Sequence, residues 1–327
     1  MLAAPAKKRD LRDANVAREF YEDRFDRGYM DDWPAWRKDR IRNLLRTLDL
    51  PATGCALDFG CGTGVFTQVL HEALPEWEVW GVDVSERAIT LARARHSSCH
   101  FFTADEKLQQ LGRFDFIFTH HVLEHVASLP DAVHQLELYA KPGAAMFHIM
   151  PCGNPGSLEH EICSLRVDGI NPSLENRFFY EDEGHLRRAT TADVTRAHGK
   201  AGFRFVRGRY ANQRFGAVEW ITLSRADFAW SLTDPSKARN EQARRKLWRL
   251  RVLLVPAALL RTGSWLVQRF QKKRRRRLSD WLTVLFALPV HVLFLPHHLY
   301  WKRRARQEWL ISNAKENGSE MYLLFQR

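Results

Sequence analysis

Ala56-Leu57-Asp58-Phe59-Gly60-Cys61-Gly62-Thr63-Gly64 decides the fold of this 327-residue chain. An apolar strand ends on an acid, and a loop follows with Gly at every second position. Val65-Phe66-Thr67-Gln68-Val69-Leu70 then opens a helix. Glycine permits positive φ and lets a ligand lie against bare backbone. Free N–H groups at the helix start complete a nucleotide-type pocket. The dinucleotide fingerprint is Gly-x-Gly-x-x-Gly, whereas this loop reads Gly-x-Gly-x-Gly. Asp58, two residues before Gly60, would repel a pyrophosphate. It suits a ligand with an ammonium, a sulfonium and no phosphate, and S-adenosylmethionine (SAM) is such a ligand.

The following segments extend that reading. Trp77-Glu78-Val79-Trp80-Gly81-Val82-Asp83 reads as a second strand ending on an acid, 19 residues after Gly64. An acid there can accept both ribose hydroxyls, in NAD sites as well. Phe101-Phe102-Thr103-Ala104-Asp105 is a third strand whose acid would meet the adenine amine. Phe114-Asp115-Phe116-Ile117-Phe118-Thr119 is a fourth, leading into His120-His121-Val122-Leu123-Glu124-His125-Val126. With LDFGCGTG, GVDVS, FDFIFTHHVLEHV and GHLRRATTADVTRAHGKAGF in this order, the chain resembles the class I SAM-dependent methyltransferases. Its likeness is to the small-molecule branch that includes the ubiquinone-pathway O-methyltransferases, over residues 15 to 225. The resemblance implies a Rossmann-like, doubly wound α/β sheet. It implies cofactor contacts at Asp58, Gly60, Cys61, Gly62, Gly64, Asp83, Val84, Asp105 and His120, with Cys61 serving as a small residue of the loop.

Composition divides the chain. Hydrophobic residues make up 45%, enough for a full core, and the net charge is +12. Residues 237–307 hold 19 Lys/Arg against Glu241 and Asp280, a net +17, which leaves −5 for the rest. A mildly acidic body with a basic tail points to an anionic partner surface, lipid headgroups or nucleic acid. Five cysteines (Cys55, Cys61, Cys99, Cys152, Cys163) without a C-x-x-C read as reduced thiols of a cytoplasmic protein. The charged stretch Lys7 to Asp10 leaves no room for an apolar signal core.

The expected organisation is a helical lid over 1–50, a methyltransferase domain over 51–230 and a basic helical extension over 231–327. Residues 15–48 read as helical, with Phe20, Tyr21, Phe25, Tyr29, Trp33 and Trp36 among charges. Related enzymes close the site with such a segment, which would bring Tyr21 or Tyr29 to the methionine end of SAM. Ser85 caps one helix, and Asp131 starts another that ends at Lys141-Pro142-Gly143. Ala144 to Ile149 is the fifth strand. Residues 152–189 read as an irregular loop over the substrate, Thr190 to Gly202 as a helix, and Phe203–Tyr210 with Val218–Leu223 as a closing antiparallel hairpin.

Methyl transfer is an in-line displacement, so positioning the acceptor dominates. A hydroxyl acceptor must also lose its proton, which calls for a base. His125 takes that role on position, at the C-terminal edge of the fourth strand, and the family's LEH places a histidine here. Glu124 and His121 are expected beside it. His121-x-x-Glu124-His125 also matches an inverted zinc-protease pattern, but that motif needs a helix. Some relatives carry Glu-x-x-Glu-His and hold a divalent ion near the acceptor. His121 replaces the first Glu, so a metal on His121, Glu124 and His125, with His160 or His185 added, is not favoured. His185 otherwise reads as a substrate-side residue.

Residues 281–300, Trp281 to Tyr300, run 20 residues without Asp, Glu, Lys or Arg, a length that suits a bilayer core of about 30 Å. Pro289 and Pro296 break it, three histidines lie within it, and basic clusters flank both ends. Both ends then face the cytoplasm. Val252 to Leu260 is too short to span. The expectation is a monotopic anchor on an anionic membrane surface, with a shallow re-entrant hairpin at Pro289. A packed helical subdomain is the competing reading. The expected function is methyl transfer to a hydroxyl of a membrane-associated acceptor, such as a lipid-linked saccharide or a prenylated phenol. A nucleic-acid methyltransferase is disfavoured, because no Asn-Pro-Pro-Tyr-type motif follows the fourth strand and Leu/Val/Phe runs serve no purpose against phosphates. A non-catalytic SAM-fold module is disfavoured because every cofactor position is filled.

Overall fold

The computed structural model describes residues 9–29, 33–104, 113–272 and 277–327. The opening strand β1 (Gly54–Phe59) lies at the middle of a seven-stranded sheet. With β2 (Trp77–Asp83), β3 (His100–Thr103), β4 (Phe114–His120), β5 (Ala140–Pro151), β8 (Arg204–Ala211) and β9 (Glu320–Gln326), the order is β3-β2-β1-β4-β5-β9-β8. Neighbours from β3 to β5 are parallel, and β9 runs antiparallel between β5 and β8. The chain reverses direction in the sheet between β1 and β4. Ligands of doubly wound sheets sit at that switch point, beyond the carboxyl ends of the strands.

Period-two alternation sends side chains to both faces. Leu57, Ile117, Met146 and Leu323 enter one core with Val133, Leu136 and Val194 from α5 (Leu129–Leu138) and α7 (Thr191–Lys200). Ala56, Phe116, Phe118 and Tyr322 enter the other, with residues of α2 (Ala35–Arg46), α3 (Val65–Ala73) and α4 (Glu86–Arg95). Caps fix the helix starts: Ser85 for α4, Ser128 for α5, and a Thr190–Asp193 capping box for α7.

The segment 15–48 is helical as expected, in two helices, α1 (Ala14–Asp26) and α2. Several expectations are corrected. Lys141-Pro142-Gly143 does not end α5 but lies within β5. Residues 152–189 contain α6 (Leu158–Leu165) and a small hairpin of β6 (Ile170–Asn171) and β7 (Arg177–Phe178). Val218–Leu223 is not a strand. It lies in or directly after α8 (Phe215–Thr222), because Ala217, Val218 and Ile221 share one buried helical face. The strand beside β8 is supplied by β9, from the far end of the chain.

The extension comprises α10 (Glu241–Leu260), α11 (Thr262–Lys272), α12 (Leu278–Leu293) and α13 (Leu295–Ser312). Leu247, Leu250 and Leu254 of α10 pack on α6, α8 and α9 (Ala226–Leu232) in a third core. Assigning all of 231–327 to an extension is therefore wrong at its end, since β9 is an interior strand of the main sheet. The apolar run bends by 71° at the α12–α13 junction, not at Pro289, which sits inside α12. Among the described residues no single helix is long and apolar enough to cross a membrane. All five cysteines are free thiols.

Candidate functional site

Asp58 ends β1 almost fully buried and accepts a hydrogen bond from Thr67 Oγ1 at 2.6 Å. Burial pushes its carboxyl up to about 7, against the Thr67 bond. It thereby ties the strand end to the first turn of α3. Gly60 has φ 76°, and its N–H and that of Cys61 donate to Val82 O at 2.7 and 2.9 Å. A Cβ at Gly60 would stand 2.4 Å from Val122 Cγ2, so only glycine fits. Gly62 N–H donates to Asp83 Oδ2 at 2.8 Å and Ser85 N–H to Oδ1 at 3.0 Å. A carboxylate offers about four lone-pair sites, so Asp83 shapes the loop and retains capacity for a diol.

These residues line a cavity of about 470 Å³. Tyr21 and Phe25 of α1 close one side, with Trp33 ahead of α2. The glycine loop, Asp83 and Val84 form the floor, and His120, His121 and His125 the wall after β4. Of the expected contacts, Gly64 does not line the cavity. It caps α3 with φ 80°, where a side chain would strike His96 and Phe101. Asp105 lies outside the described residues. Glu124 is fully buried behind the wall.

The turn after β4 is held by ions that sequence reasoning missed. His121 adopts a left-handed φ of 55°, an uncommon state for a non-glycine residue. Its Nδ1 lies 2.6 Å from Glu124 Oε1 and its Nε2 3.3 Å from Glu320 Oε1. Arg37 of α2 pairs with the same Glu320, which also accepts from Tyr322 Oη at 2.6 Å. Burial alone would lower the His121 pKa. Glu124 and Glu320 outweigh both burial and the opposing charge of Arg37, whose Nη2 lies 2.9 Å from Nε2, and raise it to about 9. Burial would raise the Glu124 carboxyl, but His121 holds it well below its ordinary range. His121 is thus part of a charged network joining α2, the turn and β9. Nothing local to Arg37 or Glu320 marks them, because they meet only through the sheet order.

His125 differs. Its Nδ1 is 2.9 Å from Gly184 O and 2.8 Å from Tyr21 Oη. A carbonyl can only accept, so Nδ1 carries the hydrogen and Nε2 the lone pair. Burial pushes the His125 pKa down to about 4, against the pull of Glu124. The ring is neutral and oriented by backbone. The 152–189 segment therefore contributes Gly184 to the site, and Arg24 of α1 clamps it through two bonds of 2.6 Å to Asp182. His120 packs on Phe66 with ring centroids 3.8 Å apart, and burial keeps it neutral.

The expected metal set is regrouped. Ligand atoms of Glu124, His125 and His185 lie within 4.8 Å of one another, while His121 turns to the carboxylates. His160 bonds Ser164 Oγ at 3.3 Å and is not among them. Glu124 Oε2 is buried without a partner among the described residues.

The sequence profile of a family described as a methyltransferase domain matches residues 30–207. An uncharacterized methyltransferase of Schizosaccharomyces pombe is 25% identical over 170 residues, which are 44% of this chain and 60% of that protein. A ubiquinone biosynthesis O-methyltransferase of Aromatoleum aromaticum is 30% identical over 102 residues, 28% of this chain and 41% of that one. The chain spans about half the length of these curated relatives. Magnesium protoporphyrin IX methyltransferase from Synechocystis, solved with bound SAH, is 21% identical, with 61% of this chain and 93% of that chain covered at a TM-score of 0.44. The cofactor of this class, SAM, fits the residues present. The cradle admits only glycine at Gly60, Asp83 has spare acceptors, and the cavity volume suits a ligand of that size.

Proposed function

The chain belongs to this family of methyltransferase domains, and on that premise we propose that it methylates a hydroxyl of a membrane-associated acceptor, a lipid-linked saccharide or a prenylated phenol. Bound SAM supplies a methyl group on a sulfonium, a good leaving group. The chain's own residues orient the acceptor, exclude water and hold the proton. The observation that carries the reading is His125. It lines the same cavity as the glycine loop, it is neutral, and its lone pair is on Nε2. Tyr21 and Gly184 fix the ring, so Nε2 would receive the acceptor proton without reorienting.

The membrane part of the reading rests on α12. Its 16 residues include only Ser279, Asp280, Thr283 and His291 as polar ones, yet only Ala287 is buried. Such a helix belongs in a core or in lipid. A monotopic position on an anionic, cytoplasmic membrane face would bring a lipid-linked hydroxyl to His125, and the apolar run gives no advantage with nucleic acid.

The test is methyl transfer from labelled SAM into lipid and glycolipid extracts, with protein and with its His125→Ala variant. The expected result is a labelled lipid-phase product and a loss of turnover of roughly 10²-fold or more with SAM binding intact. Full activity in the variant would move the base elsewhere. One observation favours a second reading. The unpartnered Glu124 Oε2 beside His125 and His185 could take a divalent cation, and activity lost to EDTA and restored by a metal would select it.

A further inference from the structure

A second cavity, of about 1100 Å³, lies between the methyltransferase body and the extension. Trp36 of α2, Trp220 of α8, Phe228 of α9 and Trp265 of α11 give it aromatic walls, and Arg269 of α11 and Lys302 of α13 face it. None of these residues lines the first cavity. Both acids at its rim are already neutralised. Asp227 pairs with Arg225 at 2.7 Å, and Glu219 with the buried Arg261 at 3.0 Å. His298, also at the rim, is held neutral, with its pKa pushed down to about 4 by burial and by Arg261. Arg269 lies 5.3 Å above the Trp265 ring, and neither it nor Lys302 has a carboxylate partner among the described residues. The cavity therefore carries two exposed cations without a carboxylate partner among the described residues, beside an aromatic lining.

A small inorganic anion would use the cations and leave the rings wet. A neutral apolar ligand would bury the cations without a partner, which is costly. A ligand with both an apolar body and an anionic head satisfies both. We propose that this second cavity binds a lipid whose phosphate head is net anionic, its apolar body against Trp36, Trp220, Phe228 and Trp265 and its phosphate facing Arg269 and Lys302. The site adjoins the first cavity. Trp33 lines one and Pro34 and Trp36 line the other, so residues 33–36 form the wall between them. A lipid seated here would hold the protein's active-site mouth against a lipid phase. The site deepens the reading of a membrane-associated acceptor but does not require methyl transfer.

The test is calorimetric titration of full-length protein with dihexanoyl phosphatidic acid, which is soluble as monomers. Dihexanoyl phosphatidylcholine, inorganic phosphate and a decamer of uridylate are titrated alongside. One phosphatidic acid is expected per chain, at least tenfold tighter than phosphatidylcholine or phosphate alone. Arg269→Gln with Lys302→Gln should weaken it about tenfold or more, since bonds to charged groups are the strong ones. Trp265→Ala should weaken it as well, and Phe286→Asp, on α12, should not. SAM affinity is measured on every variant. Unchanged SAM binding shows that the body is folded, and its absence in the native protein would remove the methyltransferase reading without touching this one. Equal affinity for the two lipids, an unchanged double variant, or several lipids per chain lost with Phe286→Asp would overturn the proposal. Tighter binding of the oligouridylate would assign the cavity to nucleic acid instead.

Discussion

Asp83 holds the glycine loop by accepting from Gly62 and Ser85, and it faces the cavity with its remaining lone pairs. Asp83→Asn keeps the shape but makes one oxygen a donor, so it opposes both roles. A hydrogen bond to a charged group contributes about 1.5–3 kcal/mol, so SAM affinity should fall about tenfold or more by calorimetry, and an unchanged affinity would remove the assignment. The acid's position at a strand end made it legible in the sequence, as it did Asp58 and the glycines. Glu320 was not legible, because its partners Arg37 and His121 lie 283 and 199 residues away along the chain. Its removal leaves the buried Arg37 unpaired, a change that typically costs about 3–5 kcal/mol. Glu320→Gln should therefore lower the melting temperature more than any surface substitution. His121 supplies a pH signature. Its pKa rises from an ordinary 6.5 to about 9 on folding. A raised pKa contributes stability that is fully present below 6.5 and lost as pH climbs through 9. Thermal stability should decline over that interval in native protein and decline less in Glu124→Gln, as followed by circular dichroism.

At the scale of elements, period and capping predicted what they normally predict. The alternating strands β1 to β5 and the helices after Ser85 and Thr190 were readable because their signals are local. By period alone the apolar run Val218–Leu223 passes for a strand, because a short apolar stretch fits a strand or a buried helix equally well. Only packing on α10 and α6 decides for α8. Of the two prolines expected to break 281–300, Pro289 is tolerated within α12, whereas Pro296 stands in the first turn of α13, directly after the turn at Phe294. The same helix leaves Leu285 64% and Phe286 75% exposed. Burying such a side chain in an apolar phase contributes about 2 kcal/mol, and each cation near an anionic leaflet adds about 1 kcal/mol. Full-length protein should sediment with vesicles of equal phosphatidylglycerol and phosphatidylcholine and resist a high-salt wash. Leu285→Asp with Phe286→Asp should release it. If the native protein ignores vesicles and instead dimerises through α12, as sedimentation equilibrium would reveal, a second copy covers that face.

At the scale of the whole molecule, the chain closes on itself. The N-terminal helices and the last strand meet at the site through Arg37, His121 and Glu320, and β9 fills the gap between β5 and β8 with Met321, Leu323 and Phe325 fully buried. Glu308 of α13 accepts from the N–H groups of Arg214, Phe215 and Gly216 at 3.0, 2.6 and 3.0 Å, so the extension caps a helix of the body. Composition suggested a separable basic tail, because charge and hydropathy change near residue 231 while strand pairing over long separations leaves no compositional trace. Truncation after Asp234 separates the two views. A dispensable tail would leave a soluble domain that binds SAM. Removal of β9 instead strips an interior strand, exposes the backbone of β5 and β8 as two new sheet edges, and opens both cores. The truncated chain should be insoluble or molten, without cooperative melting, and adding back the peptide 313–327 should restore SAM binding at least in part. A soluble, cooperatively melting truncation that binds SAM at native affinity would show that β9 is not needed to close the sheet.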